Sequence, residues 1–289
     1  IGSTVSSAGD FNGDGYDDVI IGASNTSPNG EYSGSTYVVY GKTSTNAIEI
    51  SNLVQNGYGA LINGADEYDF SGTSVSAAGD VNGDGYDDVI ISATGADPNG
   101  DSSGSTYVVF GSSEVFVDIY LEDIETGMDP SGFLINGVDS DDYIGDSVAA
   151  GDVNGDGLVD IIIGTSSPSP NGEYSGSTYV VFGTSDIANI ELSDIESGTG
   201  GFVINGADAD DSSGYSVSVV GDINDDGLDD LIIGANGASP NGDYSGSAYV
   251  VFGTTSTDAI ELSTLEEEGG GGFVINGVDE NDSSGDSVS

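Results

Sequence analysis

One nine-residue pattern of oxygen-bearing side chains occurs four times in this chain and carries its clearest chemistry. It reads D-x-N-x-D-G-x-x-D and supplies Asp10, Asn12, Asp14 and Asp18; Asp80, Asn82, Asp84 and Asp88; Asp152, Asn154, Asp156 and Asp160; and Asp222, Asn224, Asp226 and Asp230. Alternation puts the oxygens of positions one, three and five on one side of a tight loop, and the carboxylate at position nine closes it. A hard cation that takes about six to eight oxygen ligands is wrapped by one contiguous segment in this way. The backbone carbonyl at position seven, from Tyr16, Tyr86, Leu158 and Leu228, is the expected further ligand, because side-chain type varies there. Gly15, Gly85, Gly157 and Gly227 stand where the chain must turn sharply with no Cβ in the way. An EF-hand places a bidentate Glu at position twelve, whereas here that position is Ile21, Ile91, Ile163 or Ile233 inside a β-branched run, so the ion would sit in a strand-to-strand hairpin. Calcium suits such a loop better than magnesium, which prefers a rigid octahedron with retained waters. Asp, Asn and Gly also make good turns. A turn needs one or two of them, however, and every copy keeps all four donors while Asp225 replaces a Gly and Val159 an Asp at non-ligand positions. The pattern predicts four Ca²⁺, one per loop.

The rest of the composition agrees. The 289 residues hold 51 Asp+Glu against a single Lys+Arg, no His and no Cys, for a formal net charge of −50. A polyanion repels nucleic acid and anionic membranes, so cations are its natural partners. Without His or Cys the chain lacks the commonest general base, thiol chemistry and zinc-thiolate sites, and only oxygen ligands remain in quantity. So acidic a chain could be disordered, but 36% of it is hydrophobic and clusters in runs such as DDVII and STYVVF, which predicts a folded protein. No apolar run approaches the roughly 18 residues that a membrane span needs. The chain opens at Ile1 with neither an initiator Met nor a signal-peptide pattern, and reads as a processed product or a fragment. Calcium-rich acidic loops point outside the cell, to a secreted or cell-surface location.

What must position these loops is a repeat. The anchor GDxNxDGxxD begins at Gly9, Gly79, Gly151 and Gly221, a period of about 70 residues. Around it recur SGSTYVVYG from Ser33, SGSTYVVFG from Ser103 and Ser175 and SGSAYVVFG from Ser245, then ALINGAD from Ala60, FLINGVD from Phe133, FVINGAD from Phe202 and FVINGVD from Phe273. The units run 1–71, 72–144, 145–213 and 214–284, with 285–289 starting a further repeat or closing strand. Each has four short apolar segments between Gly, Asn, Asp, Ser and Pro clusters, in the second unit Ser74–Ala78, Val89–Ser92, Thr106–Phe110 and Phe133–Asn136. This predicts an all-β chain of four-stranded antiparallel sheets. Sheets so small must stack, and four strands per repeat favour propeller blades over a solenoid, either closed as a four-bladed ring or as part of a longer array. The connector before the last strand, IELSDIES near Ile190 or AIELSTLEEE near Ala259, fits a surface loop or a single helical turn.

A second set of acids, Asp66, Glu67 and Asp69; Asp139, Asp141 and Asp142; Asp208, Asp210 and Asp211; and Asp279, Glu280 and Asp282, reads as solvated loops, with an additional cation site as the alternative. The Tyr and Phe of the STYVVFG segments read as strand packing, and the PNG segments at Pro28, Pro98, Pro170 and Pro240 as turns that need no ligand. The sequons at Asn25 and Asn281 are the chance matches expected of a chain rich in Asn and Ser. Lys42, at a strand end, is expected to be exposed.

DxNGDGxxD followed by VIIGAS or LIIGAN and then YVVFG resembles the FG-GAP repeat of integrin α-subunit propellers and of long bacterial surface proteins, over the whole chain. The resemblance implies a four-stranded blade with Ca²⁺ in the loop between its first two strands, and roles in adhesion or cell-surface structure. Ser24, Thr94, Ser166 and Asn236 stand where the family's motif has Pro, and the family's usual seven blades compare with four here. The favoured reading is a non-catalytic extracellular structural or adhesion module, with a repeating unit of a filament or sheath as one form of it, contacting other copies, neighbouring repeats, or a surface protein or glycan. Near-identical units leave no unit distinguished as an active site. The alternative is a calcium-dependent glycan-binding module or a non-catalytic propeller attached to a polysaccharide-active enzyme.

Overall fold

A computed structural model describes residues 2–113, 118–184, 188–265 and 271–289. The β-branched runs become strands and the Gly/Asn/Asp clusters become the turns between them. In chain order the first repeat gives β1 (Thr4–Gly9), β2 (Asp18–Ala23), β3 (Ser35–Val39) and β4 (Gly59–Asn63), and the second gives β5 (Val75–Gly79), β6 (Asp88–Ala93), β7 (Ser105–Val109), β8 (Asp118–Tyr120), helical turn α1 (Leu121–Glu125) and β9 (Gly132–Asn136). The third gives β10 (Ser147–Gly151), β11 (Asp160–Thr165), β12 (Ser177–Val181), β13 (Ile190–Glu191), α2 (Leu192–Glu196) and β14 (Gly201–Asn205). The fourth gives β15 (Ser213–Gly221), β16 (Asp230–Ala235), β17 (Ser247–Val251), β18 (Ile260–Glu261) and β19 (Gly272–Asn276). The four main strands of each repeat form an antiparallel sheet in chain order, the expected blade, with boundaries about a residue from those read in the second unit.

The connectors combine two structures. β8, β13 and β18 are short straps that leave their own blade and pair in parallel with the last main strand of the blade before: Ile119 opposite Ile62, Ile190 opposite Ile135 and Ile260 opposite Ile204. A single turn follows each strap. In α1 and α2 it buries Leu121 and Ile124, and Leu192 and Ile195, under the sheet. The AIELSTLEEE connector continues into residues 266–268, which lie outside the described residues.

Blades stack through two unlike faces. On the leading face Ile20, Val38 and Ala60 stand side by side across β2, β3 and β4, and they pack against Val89, Ile91, Tyr107 and Val109 on the trailing face of the next blade. Ile90, Val108 and Phe133 meet Ile161, Ile163 and Tyr179 in the same way, and Ile162, Val180 and Phe202 meet Leu231, Ile233 and Tyr249. Burying each such side chain contributes roughly 1.5–3 kcal/mol, and a lone four-stranded sheet could bury only one face. The first and fourth blades do not cover each other. Val75, Val148 and Val217 are 7%, 6% and 5% exposed, but Val5 is 62% exposed. At the other end Phe133 and Phe202 are 6% and 0% exposed, against 42% for Phe273. The molecule is therefore an open arc of four blades; the four-bladed ring that the sequence also allowed does not form.

Candidate metal centre

Each nine-residue loop joins the first two strands of a blade, and its own backbone shapes it. In the first loop Asp14 N–H donates to Asp10 Oδ1 at 2.9 Å and to Asn12 Oδ1 at 2.8 Å, and Gly15 N–H donates to Asp10 Oδ2 at 2.9 Å. Tyr16 N–H, at position seven, donates to Asp14 Oδ1 at 3.0 Å. The same bonds recur from Asp84, Gly85 and Tyr86 to Asp80, Asn82 and Asp84, from Asp156, Gly157 and Leu158 to Asp152, Asn154 and Asp156, and from Asp226, Gly227 and Leu228 to Asp222, Asn224 and Asp226. Positions one and three thus converge on the amide of position five in every copy. These are the turn bonds that Asp and Asn make readily; Asp80 and Asp152 Oδ1 accept a second amide, from Gly83 at 2.7 Å and Gly155 at 2.8 Å, so in those two loops the lone pairs left for an ion lie on the other oxygens. The glycine at position six has φ of +88°, +93°, +86° and +93° in the four loops, as the sharp turn requires. Position four is also left-handed, so Asp225 holds φ +64° where its counterparts are Gly.

Position nine is the first residue of each second strand and lies at the base of the loop. Asp88, Asp160 and Asp230 accept Gly111, Gly183 and Gly253 N–H on Oδ1 at 2.9, 2.8 and 2.9 Å, and the position-two amides of Val81, Val153 and Ile223 on Oδ2 at 2.9, 2.9 and 3.0 Å. Asp18 accepts Gly41 N–H at 2.8 Å, while its buried Oδ2 makes no hydrogen bond of ordinary geometry and has only the nearby Asn12 amide to favour its charge. Burial is the main cause that pushes Asp18 up to about 6 and Asp88 up to about 7, with the position-five and position-one carboxylates adding to it. A buried carboxylate oxygen without a hydrogen bond of ordinary geometry is costly, and one Lys+Arg among 289 residues cannot offset it from within the chain. The donor set fits a hard divalent cation: two side-chain oxygens on one amide, a third carboxylate in the same turn, another at the base, and no soft or basic ligand. Among the described residues no three acidic side chains are gathered about one point, so ligation needs the carboxylates of positions one, five and nine to draw together, the last while still accepting backbone amides.

The second acidic set is more ordered than solvated loops would be. Its third acid caps its own loop, Asp69, Asp142, Asp211 and Asp282 accepting the N–H of Asp66, Asp139, Asp208 and Asp279 at 2.8, 3.1, 3.1 and 3.0 Å. Asp69 and Asp211 are buried rather than solvated, and desolvation raises them to about 7 and about 6. The first and second of these loops line clefts between blades that also receive Glu125 and Glu196, which accept the hydroxyls of buried Tyr107 and Tyr179. The PNG asparagines cross-link strands: Asn29, Asn99, Asn171 and Asn241 donate to Gly64, Gly137, Gly206 and Gly277 carbonyls at 2.7, 2.8, 2.9 and 2.7 Å. Sequence reasoning missed this, although Asn at one fixed place in four turns was a usable signal. Lys42 is half-buried, with Nζ 5.1 Å from the centre of the Tyr58 ring and donating to Asn46 O.

The FG-GAP repeat model matches residues 2–39, 71–109, 144–181 and 213–251. The chain belongs to the FG-GAP repeat family. Each FG-GAP match runs from the first strand of a blade, or just before it, through the third, so it encloses one complete nine-residue loop. FG-GAP repeats are generally non-catalytic propeller modules. Among similar proteins are phosphatidylinositol-glycan-specific phospholipase D of Dictyostelium discoideum, 30% identical over 66% of this chain and 20% of the relative, and integrin alpha pat-2 of Caenorhabditis elegans, 30% identical over 71% of this chain and 16% of the relative. The chain therefore spans a fifth or less of the length of these two relatives. No described helix is long and apolar enough to cross a membrane.

Proposed function

We propose that this chain is a calcium-binding structural or adhesion module that works outside the cell, without catalytic activity of its own, as a repeating unit of a larger surface assembly. Positions one, three, five, seven and nine of each loop hold one Ca²⁺: Asp10, Asn12, Asp14, Tyr16 and Asp18 in the first blade and their counterparts in the other three. The observation that carries the reading is the buried Asp18 Oδ2, without a hydrogen bond of ordinary geometry, beneath a loop in which Asp10 and Asn12 oxygens already converge on one amide. At extracellular-type affinities of about 10⁻⁴–10⁻³ M and millimolar calcium, each ion contributes about 1 kcal/mol. Four such ions matter against a typical net stability of about 5–15 kcal/mol. Similarity to an integrin α chain supports a partner that is a protein or another copy of the same surface. Similarity to the phospholipase D sequences favours a second reading, a non-catalytic propeller carried beside a hydrolase domain. Titration calorimetry and thermal melts test the calcium assignment. About four ions bind, EDTA lowers the melting temperature sharply, and Ca²⁺ restores it better than equimolar Mg²⁺. An unchanged melt in EDTA with no binding heat overturns it.

A further inference from the structure

We propose that the four loops work as two coupled pairs, first with second and third with fourth, and that positions seven and eight of the later loop in each pair transmit the state of one cation site to the other. The proposal rests on the calcium reading above and adds its regulation. Two observations carry it. Asp10 N–H, at position one of the first loop, donates to Oδ2 of Asp87, position eight of the second, at 2.7 Å, and Asp152 N–H donates to Asp229 Oδ2 at 3.1 Å. Separately, the Tyr86 ring at position seven fills the space where a Cβ on Gly13 would stand, and Leu228 does the same at Gly155. The pairing stops between the second and third loops. Position eight of the third loop is Val159, which has no carboxylate to offer the Asp80 amide, and no described atom lies within 4 Å of a Cβ placed on Gly83. At that junction Val81, Phe133, Val159 and Phe182 line a small apolar pocket, so the contact between the blades is made by hydrocarbon and not by a carboxylate.

The mechanism follows from chain connectivity. Tyr86 and Asp87 lie between Asp84 and Asp88, so ordering the second loop around a cation fixes both groups against the first loop. Asp87 holds the amide of Asp10, a candidate ligand, and Tyr86 presses on the turn between Asn12 and Asp14. Preorganising the first loop in this way lowers the ordering cost of its own cation, which is positive coupling and is reciprocal.

Amide shifts of Gly15, Gly85, Gly157 and Gly227 in the full chain, followed by NMR during CaCl₂ titration, read each loop separately. The Asp84→Asn variant shifts the Gly15 midpoint to about fivefold higher calcium, at the low end of typical coupling, and leaves Gly157 in place. In an Asp87→Val background, which copies what Val159 does in this fold, most of that response disappears. In Asp87→Asn, which keeps an acceptor for Asp10 N–H but loses the charge, the response persists. Asp156→Asn leaves Gly85 unmoved until Val159→Asp is added. A Gly15 midpoint indifferent to Asp84→Asn, or one that responds equally with and without Asp87, overturns the pairing while leaving calcium binding intact. Absence of any calcium-dependent shift at the four glycines overturns the cation reading and the pairing with it. Unchanged amide shifts outside the loops certify that each variant is folded.

Discussion

Asp69 shows what it means to bury carboxylates in a chain with almost no positive charge. Burial first, and then Glu125, Asp66 and Asp97, raise it from the ordinary 3.8 to about 7. Between those values the folded chain binds the proton that the unfolded chain has released, so stability is fullest at the acid end of the window and is lost as pH rises through about 7. Melts of the metal-free protein are therefore expected to fall from pH 5 to pH 8, opposite to the usual acid denaturation. Asp69→Asn, which keeps an acceptor for Asp66 N–H, raises the melting temperature at pH 8 more than at pH 5. A larger gain at pH 5 contradicts the assignment. The sequence shows that an acid stands here in every repeat, but burial depends on a neighbouring blade that no local pattern describes. The nine-residue loop is the opposite case. Its turn bonds are all internal, and its glycine punctuation and donor spacing are readable in one segment.

At the level of the elements, the four main strands were legible because each combines a β-branched run with flanking turn residues. The straps were not. β13 and β18 are two residues long, and their register is set by a partner strand in another repeat. Glu191 receives Asn136 Nδ2 and Asn99 Nδ2, both at 2.8 Å, and Glu261 receives Asn205 and Asn171, both at 2.7 Å. One carboxylate on the strap thus clamps two asparagines of the blade before it. Glu191→Gln must turn an amide N–H₂ toward one of those donors, and is expected to cost about 1–3 kcal/mol in denaturant melts. Glu49, the matching residue of the first blade, is exposed, so Glu49→Gln leaves stability unchanged. Equal losses in the two variants would remove the clamp from the account.

For the whole molecule, repetition makes its own controls. Phe202 and Phe273 occupy the same register, Phe202 opposite Val180 and Phe273 opposite Val250, yet Phe202 is 0% and Phe273 42% exposed. Truncating a buried phenylalanine to alanine costs about 3–5 kcal/mol. Phe202→Ala is expected in that range and Phe273→Ala at a small fraction of it, by equilibrium urea unfolding. Comparable losses would mean that another surface covers the fourth blade in solution. The repeat count and the blade fold were in the sequence. The openness of the arc was not, because curvature arises from how unlike faces meet and not from any single unit.

Every strap reaches backwards: β8 to β4, β13 to β9 and β18 to β14, and among the described residues β19 has none. The arc therefore has a mechanical direction. Pulled along its length, it sheds material from the fourth blade first, each departing unit unzipping the fastener it had placed on its predecessor, and force–extension traces should show blade-sized steps in that order.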